Sequence, residues 1–221
     1  MQIYEPIGIT ATLAVFTTIL QFLSGIIVCK QYVVNKTTAE SSPLPFFCGF
    51  ASCGVWLLYG MAKQDNKVVF VNVVGVILMA SYVIVFYLYT FKKSSVLRLI
   101  LITLVFYGFI MGYMSVELDN EVLVNRFGLL ACFLTLLTIA APMSKLIYVI
   151  KTKSTECLPF PMIFMSFIVS SLWYIYGMLD GDSYIMVPNL IGGGLSLIQL
   201  SLFVIYPSVP HQQLIPKSIL A

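Results

Sequence analysis

Seven stretches of about twenty or more mostly apolar residues, near 7–29, 44–62, 68–91, 96–115, 127–150, 158–179 and 184–207, dominate this 221-residue chain. Each is long enough to cross a hydrocarbon core of about 30 Å as an α-helix, the one single-segment structure that satisfies its own backbone N–H and C=O groups in lipid. The residue balance agrees: 60% hydrophobic and 10% charged, against about 45–50% and 25% in soluble domains. A water-soluble monomer is excluded, and the short segments between spans leave no room for a second domain. The expected fold class is an all-α membrane protein.

The few charges are placed unevenly. Lys30, Lys36, Lys92, Lys93, Arg98, Lys145, Lys151, Lys153 and Lys217 fall on one side of the seven spans, and Lys63, Lys67 and Arg126 on the other. Cytoplasmic loops collect Lys and Arg, so nine against three predicts a cytoplasmic C-terminus and, with an odd number of spans, an outer N-terminus. Met1 to Gly8 carry Glu5 and no basic residue, so the first apolar stretch lacks the leader of a cleaved signal and is expected to remain as a helix. Asn35-Lys36-Thr37 matches the N-glycosylation pattern but would lie in the cytoplasm, which predicts it unmodified. The five cysteines (Cys29, Cys48, Cys53, Cys132, Cys157) lack paired metal-ligand spacing and read as small apolar packing residues. The single histidine, His211, has no nucleophile, base or metal cluster with it. The sequence therefore points to neither an enzyme nor a metal, cofactor or nucleic-acid partner.

Trp56-Leu57-Leu58-Tyr59-Gly60-Met61 recurs as Trp173-Tyr174-Ile175-Tyr176-Gly177-Met178, an offset of 117 residues. The same offset pairs Asp65 with Asp182, Asn72 with Asn189, Gly75 with Gly192, Phe86 with Phe203 and Tyr89 with Tyr206. With a one-residue slip, Glu40, Pro43 and Pro45 match Glu156, Pro159 and Pro161. Each copy holds three spans, and an odd-numbered unit followed directly by its copy would set that copy upside down. The fourth span has no partner in either copy and turns the chain round. The expected architecture is thus seven transmembrane helices arranged as two parallel three-helix bundles joined by a linker helix: 1–93, the first repeat; 94–120, the linker helix and outer loop; 121–207, the second repeat; 208–221, a short cytoplasmic tail. Paired repeats of this kind mark transporters, with the substrate between the copies near the midplane.

Every Asp, Glu, Lys and Arg falls at a span end or in a loop, with Lys145 near enough to the cytoplasm to snorkel. Ion-coupled carriers usually need an intramembrane carboxylate, so a neutral cargo moving down its gradient is expected. Asn72 and Asn189 offer amide donors and acceptors suited to the hydroxyls of a sugar. A helix–helix hydrogen bond is the plainer alternative, and the symmetry of the pair favours the ligand. Trp56 and Trp173, the only two tryptophans, read equally as flat faces for sugar C–H surfaces or as members of an interfacial belt. The belt suits Tyr59, Tyr174 and Tyr176 better. Pro43, Pro45, Pro159 and Pro161 read as helix starts or hinges, and Pro142, inside the fifth span, as a hinge. Gly192, Gly193 and Gly194, with Gly75 opposite, permit close helix contact.

Thr152-Lys153-Ser154-Thr155-Glu156, Leu158-Pro159-Phe160, Leu172-Trp173, Tyr176-Gly177, Pro188-Asn189 and Gln199-Leu200, with Phe22-Leu23-Ser24, Leu44-Pro45-Phe46, Trp56, Tyr59-Gly60 and Asn72 earlier, resemble the SWEET (saliva-type) family of sugar uniporters over nearly the whole chain. The resemblance implies a substrate pocket formed by Trp56, Asn72, Trp173 and Asn189. It implies an inner hinge or gate of four prolines, carried here by Pro45, Pro142 and Pro159, with Gly25 departing at the fourth place. It also implies an outer gate of Tyr59 facing Asp182. Bulky indoles on both sides of the pocket, where many plant relatives carry a smaller residue on the first side, imply a monosaccharide such as glucose rather than sucrose. Membrane lipid is the surrounding partner, the plasma membrane and the Golgi are the expected locations, and some relatives form homo-oligomeric trimers. The expected function is facilitative, ion-independent, bidirectional sugar transport by alternating access. A receptor would not be built of two parallel copies, and a repeat-built cation channel should show charged lining residues. A transporter of the PQ-loop type shares the architecture, but its Pro-Gln dipeptide is absent.

Overall fold

The computed structural model describes residues 4–208; the tail beyond, with His211 and Lys217, lies outside the described residues. The seven α-helices formed by the described residues are α1 (Tyr4–Asn35), α2 (Leu44–Lys63), α3 (Asn66–Tyr89), α4 (Lys93–Val116), α5 (Asn120–Thr152), α6 (Phe160–Asp180) and α7 (Ser183–Ile205). Each contains a stretch long and apolar enough to cross a membrane. The protein is an all-α, multi-pass membrane protein.

Two helices outrun the spans expected from hydropathy. α1 has 32 residues and α5 has 33, about 50 Å at 1.5 Å per residue. Lys30 and Asn35 therefore lie on α1 instead of the loop after it, and Arg126 lies in the second turn of α5 instead of the loop before it. An apolar window stops at the first charge, whereas a helix stops only where its backbone changes: Lys36 and Lys153, at φ 57° and 54°, end α1 and α5.

The 117-residue offset carries α1, α2 and α3 onto α5, α6 and α7 with ends that agree to within one residue. Local chemistry explains the agreement. Asp65 Oδ1 accepts the N–H groups of Lys67 and Val68 at 2.9 and 3.1 Å. Asp182 Oδ1 accepts those of Tyr184 and Ile185 at the same 2.9 and 3.1 Å. Each aspartate thus satisfies two of the orphan donors at the start of its helix. α2 and α6 end on left-handed residues, Gln64 at φ 63° and Gly181 at φ 70°. Gly60 and Gly177 let the next helix return closely: a Cβ would come within 3.0 Å of the Val69 nitrogen and 2.8 Å of the Met186 nitrogen.

The chain gathers into two compact units, residues 15–134 and residues 4–14 with 135–208, so the division runs through α1 and α5. In the first unit α3 meets both α1 and α2. Gly75 lies against Cys53 and the Phe22 ring, and the Tyr82 hydroxyl donates to the Phe22 carbonyl at 2.9 Å. Tyr32, Phe47, Phe86 and Val96 form a buried cluster from four helices. α4 joins through Tyr107, whose hydroxyl donates to the Ala51 carbonyl at 3.0 Å beside Gly54. Leu101, Leu104 and Phe109 of α4 face outward, as side chains solvated by acyl tails do.

In the second unit Gly192 of α7 faces Ser170 of α6, the positions equivalent to Gly75 and Cys53. Val149, Leu158, Ile163 and Leu202 make its core. Each unit also carries the same latch. The Thr38 N–H donates to the Tyr89 carbonyl at 3.3 Å, and the Thr155 N–H to the Pro207 carbonyl at 3.0 Å, holding the loop after the first helix to the end of the third.

Candidate functional site

Asn72 and Asn189 are each the seventh residue of their helices, α3 and α7. Each Nδ2 donates to the carbonyl four residues back, Val68 and Ile185, both at 2.8 Å. That bond fixes the side chain against its own helix and uses one amide hydrogen. An amide carries a second hydrogen and a carbonyl oxygen with two lone pairs besides. Asn72 is buried and Asn189 half-buried.

The two tryptophans are also held alike. Trp56 meets Tyr59 edge to face, centroids 5.5 Å apart at 89°, and Trp173 meets Tyr176 at 5.5 Å and 85°. Residues three apart on a helix are neighbours, and an aromatic edge against an indole face is the favoured geometry. Tyr59 and Tyr176, 1% and 5% exposed, are therefore inside the bundles; assigning them to an interfacial belt is corrected. Tyr174 is half-buried.

A cavity of about 370 Å³ lies in the second unit, walled by α5, α6 and α7. It reaches from Asn189 and Pro188 to Pro159 and Lys145, and Ser166, Ser170, Ser196 and Gln199 bring polar groups to its wall. Of the residues expected to bind or gate, it brings together Asn189 and Pro159, and Trp173 is not part of its lining. The wall serines were missed in the sequence because single serines in apolar helices carry no period. The repeat offset was the available signal, since it sets Ser170 opposite Gly192 as it sets Cys53 opposite Gly75. Pro188, buried inside α7, removes one backbone donor where the cavity meets Asn189.

The residues expected to hinge stand at different kinds of place. Pro43 and Pro159 are the N-caps of α2 and α6, and Pro45 and Pro161 lie in the first turns that follow. The helix register thus pairs Pro159 with Pro43, and Pro45 with Pro161. Pro142 falls within α5, and its side chain lies outside the described residues. Gly25 is packed beneath the Tyr82 ring: a Cβ would meet ring carbons at 2.9 Å or closer. The offset pairs Gly25 with Pro142 and Tyr82 with Gln199, so one copy combines glycine with a ring and the other combines proline with an amide. Of the outer-gate pair, Tyr59 belongs to the first unit and Asp182 to the second, where the carboxylate caps α7.

Comparison with known proteins agrees with this architecture. The family model for "Sugar efflux transporter for intercellular exchange" matches twice, at residues 8–94 and 125–211. "Sugar transporter SWEET1" of Drosophila pseudoobscura pseudoobscura is 40% identical over 199 residues, 89% of this chain and 88% of that protein. "Sugar transporter SWEET1" of Mus musculus is 31% identical over 197 residues, 87% of this chain and 88% of its own length. "Bidirectional sugar transporter SWEET16" of Oryza sativa subsp. japonica is 32% identical over 193 residues, 86% of this chain and 59% of its own length. The solved structure of a eukaryotic SWEET transporter shares the fold at a TM-score of 0.86 and 21% identity, covering 92% of this chain and 98% of that one. With both repeats matched in order and relatives aligned over most of their length, the chain belongs to the SWEET family of sugar efflux transporters for intercellular exchange.

Proposed function

We propose that this protein carries a neutral sugar, a monosaccharide such as glucose, across the plasma membrane or Golgi membrane in either direction, without ion coupling, by alternating access. The observation that carries the reading is the matched pair Asn72 and Asn189, each holding its amide by the same 2.8 Å bond to its own helix. Two such amides present donors and acceptors without charge, which is what vicinal hydroxyls need and what a metal cation or a carboxylate does not. In this reading Trp56 and Trp173 supply flat apolar faces for the sugar. Lys145 at one end of the second-unit cavity disfavours a cation pore.

In this reading Tyr59 and Asp182 close the outer side, and Gly25, Pro45, Pro142 and Pro159 let the inner ends of the helices move. The N-terminus is outside and the C-terminus cytoplasmic. The names of the relatives, sugar transporters among which one is bidirectional, support the cargo and the mode.

The test is uptake and efflux of labelled glucose and sucrose in proteoliposomes, with and without a proton gradient, for the parent and for Asn72→Ala with Asn189→Ala. Gradient-independent glucose flux both ways, lost in the double variant, is the expected result. Flux that follows the gradient removes the uniport, efficient sucrose flux removes the monosaccharide preference, and no flux of any neutral sugar overturns the reading.

A further inference from the structure

The two repeats share a backbone plan but fill it differently at one level. In the first unit Met79 lies over Gly49, with its Sδ 2.9 Å from where a Cβ would be; Phe22 reaches Gly75, and Tyr82 covers Gly25. The residues at the same offset in the second unit are Ser196, Ser166, Ile139, Gly192, Gln199 and Pro142. A thioether has become a hydroxyl, a phenyl ring an isoleucine, and a phenol an amide. The volume that the first repeat occupies with Met79, Phe22 and Tyr82 corresponds in the second to the cavity of about 370 Å³, whose wall includes Ser166, Ser170, Ser196 and Gln199.

That volume lies in the range of cavities that hold small organic ligands. Ser166 and Ser170 stand four residues apart on α6, hence one above the other on one helix face, and Ser196 and Gly192 stand likewise on α7. A hydroxyl both donates and accepts, so this wall offers exchangeable partners to a polyhydroxylated molecule and no fixed charge until Lys145 at the far end.

We propose that the cavity is a second sugar-holding station, on the Lys145 side of Asn189 and built by the second repeat alone, in which Ser166, Ser170 and Ser196 bind sugar hydroxyls as the substrate leaves or approaches Asn189. The proposal rests on the sugar reading above and adds to it a stage in the path and an asymmetry between the copies. The second repeat thus has a polar chamber on its Lys145 side at the level where the first has packed side chains.

The experiment measures glucose efflux from the Lys145 side in oriented proteoliposomes, with thermal unfolding in detergent as the check on folding. Ser166→Ala with Ser170→Ala removes two hydroxyls and keeps the space; Ser196→Met puts the first repeat's side chain into it. The alanine pair should raise the half-saturating glucose concentration about two- to tenfold, the effect of losing one or two neutral hydrogen bonds. Ser196→Met should raise it at least as far, while Met79→Ser in the first repeat leaves it at the parent value. If Ser196→Met does not fold, the alanine pair, which adds no volume, decides alone. An unchanged half-saturation in the alanine pair overturns the station even where Ser196→Met slows flux, because a blocked path without lost hydroxyl binding is steric only. In that case the sugar reading stands, provided Asn72→Ala with Asn189→Ala still abolishes flux; a parent that moves no sugar removes both.

Discussion

Tyr82 accounts for the glycine at position 25. Its ring lies on the Gly25 backbone and its hydroxyl bonds the Phe22 carbonyl one turn earlier on α1, so α1 and α3 touch where any side chain at 25 would intrude. Overfilling a packed contact costs about 1–3 kcal/mol. Gly25→Ala should therefore lower the unfolding free energy by about that amount, and the same substitution beside Tyr82→Gln, the residue the second repeat uses, should cost much less. A double-mutant cycle by thermal or denaturant unfolding in detergent checks this: additive effects would mean that the two residues do not press on each other. The asparagines call for a different measurement. Because each amide is held by one bond to its own helix, Asn72→Ala and Asn189→Ala should leave the unfolding midpoint close to the parent and each reduce glucose flux about tenfold or more, the loss of one or two good hydrogen bonds to a polar ligand. A large fall in stability with little change in flux would return both residues to a helix-packing role.

At the scale of the helix, the two repeats provide internal controls. Gln64 and Gly181 end equivalent helices in the left-handed region, where a residue with a Cβ costs about 1–2 kcal/mol. Gln64→Gly should stabilise the protein and Gly181→Ala should destabilise it, each by about 1 kcal/mol; shifts of the same sign in both would count against a strain at these caps. Asp65 and Asp182 cap α3 and α7 with the same distances, and asparagine caps as well as aspartate. Asp65→Asn should then change neither midpoint nor flux. Asp182→Asn should keep the midpoint and lower the flux, since only Asp182 is also assigned to the outer gate and loses its charge there. If Asp182→Asn transports like the parent, the residue is a cap and the gate assignment falls.

Across the whole molecule, what the sequence made legible was whatever repeats or alternates over many residues. Seven apolar stretches located seven helices, and one offset of 117 located the paired asparagines, tryptophans and capping aspartates. What it left hidden depends on single contacts between distant residues. No local pattern marks the Tyr82 ring over Gly25, the burial of Tyr59 and Tyr176 against their tryptophans, or the serine wall that appears only when α6 and α7 pack. Helix ends were hidden for another reason, because α1 and α5 continue through Lys30 and Arg126, where an apolar window stops. Those extensions bear on orientation. The C-terminal parts of α1 and α5 carry Lys30, Lys145 and Lys151, and the loop after α5 holds Cys157, which is exposed. With nine of twelve Lys and Arg assigned to that side, the positive-inside rule predicts that it faces the cytoplasm. In a Cys48→Ser background, which removes the other exposed cysteine, a membrane-impermeant thiol reagent should then label Cys157 in permeabilised cells and not in intact ones, the signal disappearing in Cys157→Ser. The opposite side is tested at Leu118, 91% exposed between α4 and α5: a glycosylation sequence inserted there should acquire a glycan, while Asn35 remains bare. Labelling of Cys157 in intact cells, or a glycan on Asn35, would invert the molecule, and the chamber beside Lys145 would then receive sugar from outside the cell.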